Sequence, residues 1–293
     1  MINFSSNVLP QGIPLIVDYT NLTKTSLFLE MESFSNNFLK THAKALKKYR
    51  WVADPFHQWS RQWEYPFAYS YIRQFITSTS KFIPIDDEIR ILDAGSGCTF
   101  FPYYLSYKHP NCRVYCCDHD SSLAPIFMKI NQKRNANVEF NTCNLANLRY
   151  EDNFFDILYC ISVLEHTHDH VDIIKQFNRV LKHPTGLLII TFDISLDNKA
   201  GIDLAQDTLN KINNEFKGTH LTIFELLKDI QKHDIVTTEF ARKFDKKLLP
   251  WKLTWKSFLG QLLKLKRPKR QFHTLTIFCG VWKKDEMTTH PKS

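Results

Sequence analysis

The residues with the clearest chemistry are Asp93, the Gly95-Ser96-Gly97 turn just after it, and Asp118, 21 residues beyond Gly97. Ile91-Leu92-Asp93-Ala94 reads as a short buried strand that runs into a glycine turn and then a helix. Val114-Tyr115-Cys116-Cys117-Asp118 reads as a second strand ending in a carboxylate. A glycine turn lets a ligand approach the backbone closely, and an acid at the tip of the next strand accepts hydrogen bonds from ribose hydroxyls. Together they predict a pocket for a ligand that contains an adenosine-like ribose.

The glycine pattern narrows the choice. A dinucleotide fingerprint needs a third glycine at its sixth position so that helix and strand pack closely. Counted from Gly95, that position is Phe100. No Gly-Lys-Ser/Thr follows, so a phosphate-cradling loop is excluded. An acid two residues before the first glycine suits an amino group better than phosphates. That description fits S-adenosylmethionine.

These residues need a scaffold. Strands are predicted at about 90–94, 113–118, 138–141, 155–161, 186–192 and 273–283, alternating with helices at 100–107, 121–135 and 169–182. Such alternation predicts an α/β fold with a doubly wound, mostly parallel sheet, helices on both faces and ligands at the strand C-termini. Residues 1–84 precede this core as a helical extension, or lid. The roughly 80 residues after the fifth strand exceed an ordinary connection. They predict an inserted cap at 193–272, followed by a final strand and tail at 273–293.

In order and spacing, the chain resembles the class I S-adenosylmethionine-dependent methyltransferases over 85–192, and again at the final strand. Beyond the two opening motifs, Val138-Glu139-Phe140 looks like the third strand and Phe154-Phe155-Asp156-Ile157-Leu158-Tyr159-Cys160 like the fourth. Ser162-Val163-Leu164-Glu165-His166 looks like the family's leucine-glutamate-histidine segment. Arg179-Val180-Leu181-Lys182 and Gly186-Leu187-Leu188-Ile189-Ile190-Thr191 look like the helix and strand that follow. The resemblance implies a seven-stranded sheet and S-adenosylmethionine as cofactor, leaving as S-adenosylhomocysteine. It implies that Asp93, Ala94, Gly95, Ser96 and Gly97 hold the methionyl part and Asp118 the ribose. His119, Asn144 and Leu145 would flank the adenine, with Cys160 and Ile161 beneath the sulfonium. Thr99 departs from the family's third glycine. Asn144 replaces its usual acid with an amide that can both donate and accept.

Methyl transfer from a sulfonium requires an acceptor held in line, and a base where the acceptor carries a proton. His166, just past the tip of the fourth strand, is the candidate catalytic base. Glu165 reads as orienting the loop. The histidines at 166, 168 and 170 sit in a strand-to-helix loop without a fixed set of further ligands, which reads as a polar loop capped by Asp169, with no metal. In the N-terminal extension, Trp51, Trp59, Trp63, Tyr65, Phe67 and Tyr69 suit either a lid over the site or plain packing on the sheet. Tyr65 can reach the cofactor carboxylate there, and Arg61 can pair with that carboxylate or with an acidic acceptor.

The composition bounds the rest. The chain has 293 residues, 43% hydrophobic content, a formal charge of +8 and seven cysteines. The odd cysteine count, with no CxxC, argues against disulfides or a zinc ribbon and for a reducing cytoplasm. The sequence shows no secretory pattern and no apolar run approaching a membrane span. Positive charge concentrates at 241–271, with eleven Lys or Arg residues and one acid, Asp245. At 251–265, Trp251, Trp255, Phe258, Leu259 and Leu262 recur at helical spacing, giving a basic amphipathic stretch. It reads as a helix packed on the core, a peripheral membrane element, or a patch for nucleic acid or an acidic substrate. The Asn/Asp-Pro-Pro-aromatic motif of base-directed enzymes is absent after the fourth strand, which argues against nucleic acid. The sequence predicts a methyltransferase acting on a small metabolite, natural product or lipid-like acceptor, at oxygen or nitrogen. The alternatives are an RNA or protein methyltransferase docking through the basic cap, and a non-catalytic cofactor-binding partner subunit.

Overall fold

The computed structural model describes residues 8–47, 49, 56–79, 88–134, 136–218, 222–228, 234–245, 248 and 274–284. Seven strands form one sheet: β1 (Ile89–Ala94), β2 (Cys112–Asp118), β3 (Val138–Thr142), β4 (Ile157–Ile161), β5 (Leu187–Ser195), β6 (Lys217–Gly218) and β7 (Leu275–Lys283). Their order is β3-β2-β1-β4-β5-β7-β6. The pairings among β1 to β5 are parallel, while β7 runs antiparallel to β5 and to the two-residue β6. The six strands expected from the sequence are present. β6 is too short to leave a periodic signal.

Strands β1 and β4 are almost wholly buried. Continuous apolar runs are what a parallel sheet covered on both faces requires. Alternate side chains then feed two cores. Ile91 and Tyr159 point to one face, where they pack with α2 (Ser26–Leu46), α3 (Arg61–Thr79), α4 (Phe101–Lys108) and α5 (Ala124–Asn131). Leu92, Leu158 and Cys160 point to the other, against α6 (His170–Val180) and α7 (Lys199–Glu215). In α6, the buried Ile173, Ile174, Phe177 and Val180 repeat at helical spacing. Burying each such side chain contributes about 1.5–3 kcal/mol. Asp169 stands at the N-cap of α6 but makes no capping bond with its side chain, contrary to the expected cap. Asn198 does cap α7, accepting from Gly201 N–H at 2.9 Å.

The N-terminal extension is helical, as expected: α1 (Ile16–Leu22) and α2 lead to α3. Every residue from Gln62 to Ser70 of α3 is buried, a run that no surface helix shows. The segment expected as a cap begins differently from the expectation. β5 continues to Ser195, and α7 packs against α6 and β5 within the helix layer of the sheet. α8 (Ile223–Lys228) rests on α7, while α9 (Thr238–Phe244) places Phe240 and Phe244 edge-on to Tyr19 of α1. The stretch 251–265 lies outside the described residues. No helix among the described residues is long and apolar enough to cross a membrane.

The sheet order reverses between β1 and β4. In doubly wound sheets the ligand crevice lies at such a switch point, beyond the carboxyl ends of the strands. Asp93 and Ser162 stand at or just past those ends, and Thr191 lies level with the end of β4.

Candidate active site

The turn after β1 is built by two glycines with positive φ, +77° at Gly95 and +52° at Gly97. Both are also places where a side chain would collide. A Cβ on Gly95 would lie 2.6 Å from Val163, and one on Gly97 would lie 2.3 Å from the Tyr49 hydroxyl. The Gly95 and Ser96 amides donate to Cys117 O at 2.9 and 3.0 Å, which ties the turn to β2. Gly97 N–H donates to Asp118 Oδ2 at 3.0 Å. Cys98 N–H donates to the Tyr49 hydroxyl at 3.1 Å. The turn, the β2 acid and the N-terminal extension therefore meet at one point.

Asp93, the penultimate residue of β1, is 5% exposed. Burial pushes its carboxyl up to about 8; the nearby Tyr159 hydroxyl works the other way, and the negative charge of Asp118 adds to the rise. Ala94 and Ser96 are buried beside it. Asp118 Oδ1 accepts from Asp120 N–H at 3.0 Å and lies 3.2 Å from His119 Nδ1, whose side chain is 89% exposed. Leu145 is buried, and Asn144 spends its side-chain oxygen on Ala146 N–H at 2.9 Å in a local turn. The Asn144 amide thus has its NH2 left to offer an adenine edge. Cys160 packs into the core on the α6 face, while Ile161 points to the opposite face.

Tyr65 lies buried on α3, its ring stacked on Phe101 with centroids 4.9 Å apart. Burial pushes its phenol up, with Arg61 and Asp93 among the charges around it. Arg61 is committed elsewhere. Its Nη1 donates to Ser162 Oγ at 2.7 Å and to Glu64 Oε2. Glu64 is fully buried, and its Oε1 accepts from Ser162 Oγ at 2.6 Å and Thr191 Oγ1 at 2.5 Å. Ser162 itself holds a positive φ of 47°, an uncommon conformation for a residue with a side chain, immediately after β4. Its N–H donates to Thr191 O at 3.0 Å. One buried carboxylate thus fastens α3 to the residue after β4 and to the middle of β5, level with the end of β4.

His166 ends a one-turn helix, Leu164–His166, and is exposed. Partial desolvation and the Arg61 charge lower its pKa from the ordinary 6.5. Glu165 turns inward, where Oε1 accepts from Asp193 N–H at 3.1 Å. Among the other loop histidines, His170 is buried with Nε2 2.8 Å from Leu164 O and Nδ1 3.3 Å from Thr208 Oγ1. It braces the loop.

Tyr49, Glu64, Ser162, Thr191 and Asp193 belong to this site and were not singled out as functional from the sequence. For Glu64 the signal was an acid inside an aromatic run, Trp63-Glu64-Tyr65-Pro66-Phe67.

Residues 92–190, from within β1 to the middle of β5 and about a third of the chain, match the family model described as a methyltransferase domain. Over that third of the chain this is a methyltransferase domain. The residues around the turn fit S-adenosylmethionine. Its ammonium group suits the buried Asp93 carboxyl, and its ribose suits the Asp118 carboxylate at the tip of β2. A search of curated proteins gives no significant match. Solved structures similar in fold include phosphoethanolamine N-methyltransferase 2 of Haemonchus contortus bound to S-adenosylmethionine, at 15% identity and a TM-score of 0.43. That alignment covers 73% of this chain and 53% of the other, so the chain spans about half of that relative. Geranyl diphosphate C-methyltransferase of Streptomyces coelicolor A3(2), bound to Mg2+, geranyl diphosphate and S-adenosyl-L-homocysteine, aligns at 10% identity with a TM-score of 0.45. There the alignment covers 82% of this chain and 87% of the other. The acceptors belong to those enzymes.

Proposed function

We propose that this methyltransferase acts on a small metabolite, natural product or lipid-like acceptor, at oxygen or nitrogen. The observation that carries the reading is the seating of α3. Its buried run from Gln62 to Ser70 is fastened to the end of β4 and the adjoining middle of β5, with Glu64 bonded to both Ser162 and Thr191. A site floor covered by a fixed helix admits a small group more readily than a duplex or a protein surface. S-adenosylmethionine supplies a methyl group on a sulfonium, electrophilic without further activation. The protein's share is to bind, align and, for a hydroxyl acceptor, remove a proton.

In this reading Asp93 and the Gly95–Gly97 turn hold the methionyl part, Asp118 the ribose, and Asn144 and Leu145 the adenine. Tyr65 borders the methionyl end, and Ile161 and the backbone of Cys160 lie below the sulfonium. His166, neutral at physiological pH because its pKa is lowered, takes the proton from a hydroxyl. The N-terminal helices and the 193–272 segment set specificity. All seven cysteines are free and buried, which favours a reducing cytoplasm. Peripheral membrane contact through 251–265 is part of the proposal.

The test is transfer of labelled methyl into a host extract, separated into organic, small aqueous and macromolecular fractions. Label in either of the first two is the expected result. Label only in macromolecules overturns the small-acceptor reading.

A further inference from the structure

Around Arg61 the structure gathers two carboxyls, Glu64 and Asp193, and a third, Glu165, stands beside those two. Arg61 is spoken for. Burial alone would disfavour its charge, yet Glu64, Tyr65 and Asp193 hold its pKa up. Its bond to Glu64, together with those from Ser162 and Thr191, satisfies both Glu64 oxygens. Glu165 and Asp193 are left as a second acid pair. The pair sits at the end of β5 and in the turn after β4, where a parallel sheet presents its ligands. One link joins them, the Asp193 N–H to Glu165 Oε1 bond at 3.1 Å. Glu165 Oε2 and Asp193 Oδ1 are shut off from solvent, and neither has a hydrogen-bond partner among the described residues.

Two buried carboxylate oxygens without donors are costly unless something supplies hydrogen bonds or positive charge. Resident protons relieve the cost in part. Burial and the charge of Asp193 push Glu165 up to about 8, and burial and Glu64 push Asp193 up to about 7 against the pull of Arg61. A structural acid pair of this kind would be expected to find a lysine, an arginine or backbone amides. Among the described residues the cation within reach, Arg61, is already held by Glu64.

We propose that Glu165 and Asp193 bind the methyl acceptor as a protonated amine, so that the acceptor class is an amine. This rests on the methyltransferase reading above and narrows its acceptor. An ammonium group brings three donors and one positive charge, which match two unpartnered oxygens; its binding displaces the resident protons and leaves an ionised pair able to take one back. A bound ammonium cannot attack until it loses a proton. One N–H bond breaks, its electron pair stays on nitrogen as the attacking lone pair, and the proton joins a carboxylate oxygen of the pair as an O–H. The nitrogen then takes the methyl carbon as the carbon–sulfur bond breaks, with that bond's pair left on sulfur. An amine acceptor thus meets its own base, and His166 is required only for oxygen.

The closing experiment uses the full chain and the labelled extract assay, with half of the extract first treated with N-hydroxysuccinimidyl acetate to acylate its amines. The expected result is label in the untreated extract and loss of nearly all of it after acylation. Persistence of label after acylation overturns the amine assignment while leaving the methyltransferase reading intact. Absence of label in both halves overturns the reading beneath it. Once an amine is found, Glu165→Gln and Asp193→Asn should each raise its KM at least about tenfold, the scale for losing one hydrogen bond to a charged group. Calorimetric affinity for S-adenosylhomocysteine should stay unchanged, which also reports that the variants fold. A further readout needs no acceptor. Either substitution should raise Tm more at pH 8, where the pair carries more negative charge beside Glu64 and Arg61, than at pH 5, where the raised pKa values keep both acids protonated. Equal KM values with no pH-dependent change in Tm would assign the pair a merely structural part.

Discussion

Asp118 Oδ2 accepts the Gly97 N–H at 3.0 Å, so the carboxylate proposed for the ribose also pins the tip of β2 to the glycine turn after β1. The two roles separate by substitution. In Asp118→Asn the amide oxygen can still accept from Gly97 while its NH2 faces the Asp120 N–H, so Tm should fall less than in Asp118→Ala, while affinity for S-adenosylmethionine falls about tenfold or more with the charged acceptor gone. Asp118→Ala should lower both. Differential scanning calorimetry and isothermal titration on the two variants make the comparison.

Gly97 and Tyr49 should be energetically coupled. Gly97→Ala meets two penalties: a left-handed φ that costs about 1–2 kcal/mol, and a Cβ 2.3 Å from the Tyr49 hydroxyl. Tyr49→Phe removes the colliding oxygen and leaves the ring carbon 3.5 Å away. A double-mutant cycle by urea unfolding should therefore show the pair losing less than the sum of the single changes, by about 1 kcal/mol. Additive losses would mean that the hydroxyl moves aside freely.

The buried Asp93 carboxyl makes stability fall as pH rises. Its folded pKa of about 8 lies above the ordinary 3.8. Below 3.8 both folded and unfolded chains carry the proton. Between there and about 8 the unfolded chain releases it while the folded chain keeps it, so stability declines across that window, with Glu165 and Asp193 adding to the slope. Asp93→Asn should flatten the decline in Tm between pH 5 and pH 8. Binding of the cofactor's ammonium should release the Asp93 proton, a release seen in titrations across buffers of different ionisation heat and lost in Asp93→Asn.

The Glu64 latch should control the seating of α3. Glu64→Gln keeps an acceptor for Ser162 and Thr191 but leaves the half-buried Arg61 without its carboxylate. Breaking a buried pair from one side typically costs about 3–5 kcal/mol. Glu64→Gln should therefore be strongly destabilised, and a combined Arg61→Met/Glu64→Gln variant should recover part of the loss, as read by denaturant midpoint.

What the sequence disclosed follows from distance along the chain. The glycine turn and Asp118 were legible because each ends a strand whose apolar run marks it locally. The bonds from Glu64 to Ser162 and Thr191 span 98 and 127 residues, and no periodicity links such positions. Tyr49 gave no signal, because its role depends on where the chain between α2 and α3 passes the turn. Asn144 was read as both donor and acceptor; the turn that ties its oxygen to Ala146 is visible only in three dimensions. The segment after β5 was read as a cap by its length, yet α7 completes the helix layer, since a buried face of Ala205, Leu209 and Ile212 needs a partner as any amphipathic helix does.

The most direct test of the central claim is calorimetric titration of the full chain with S-adenosylmethionine and with NAD. The account predicts saturable one-to-one binding of S-adenosylmethionine, displaced by S-adenosylhomocysteine and weakened by Asp118→Ala, with no heat from NAD. Binding of NAD in its place, or affinity for S-adenosylmethionine that ignores the loss of the Asp118 carboxylate, would contradict it.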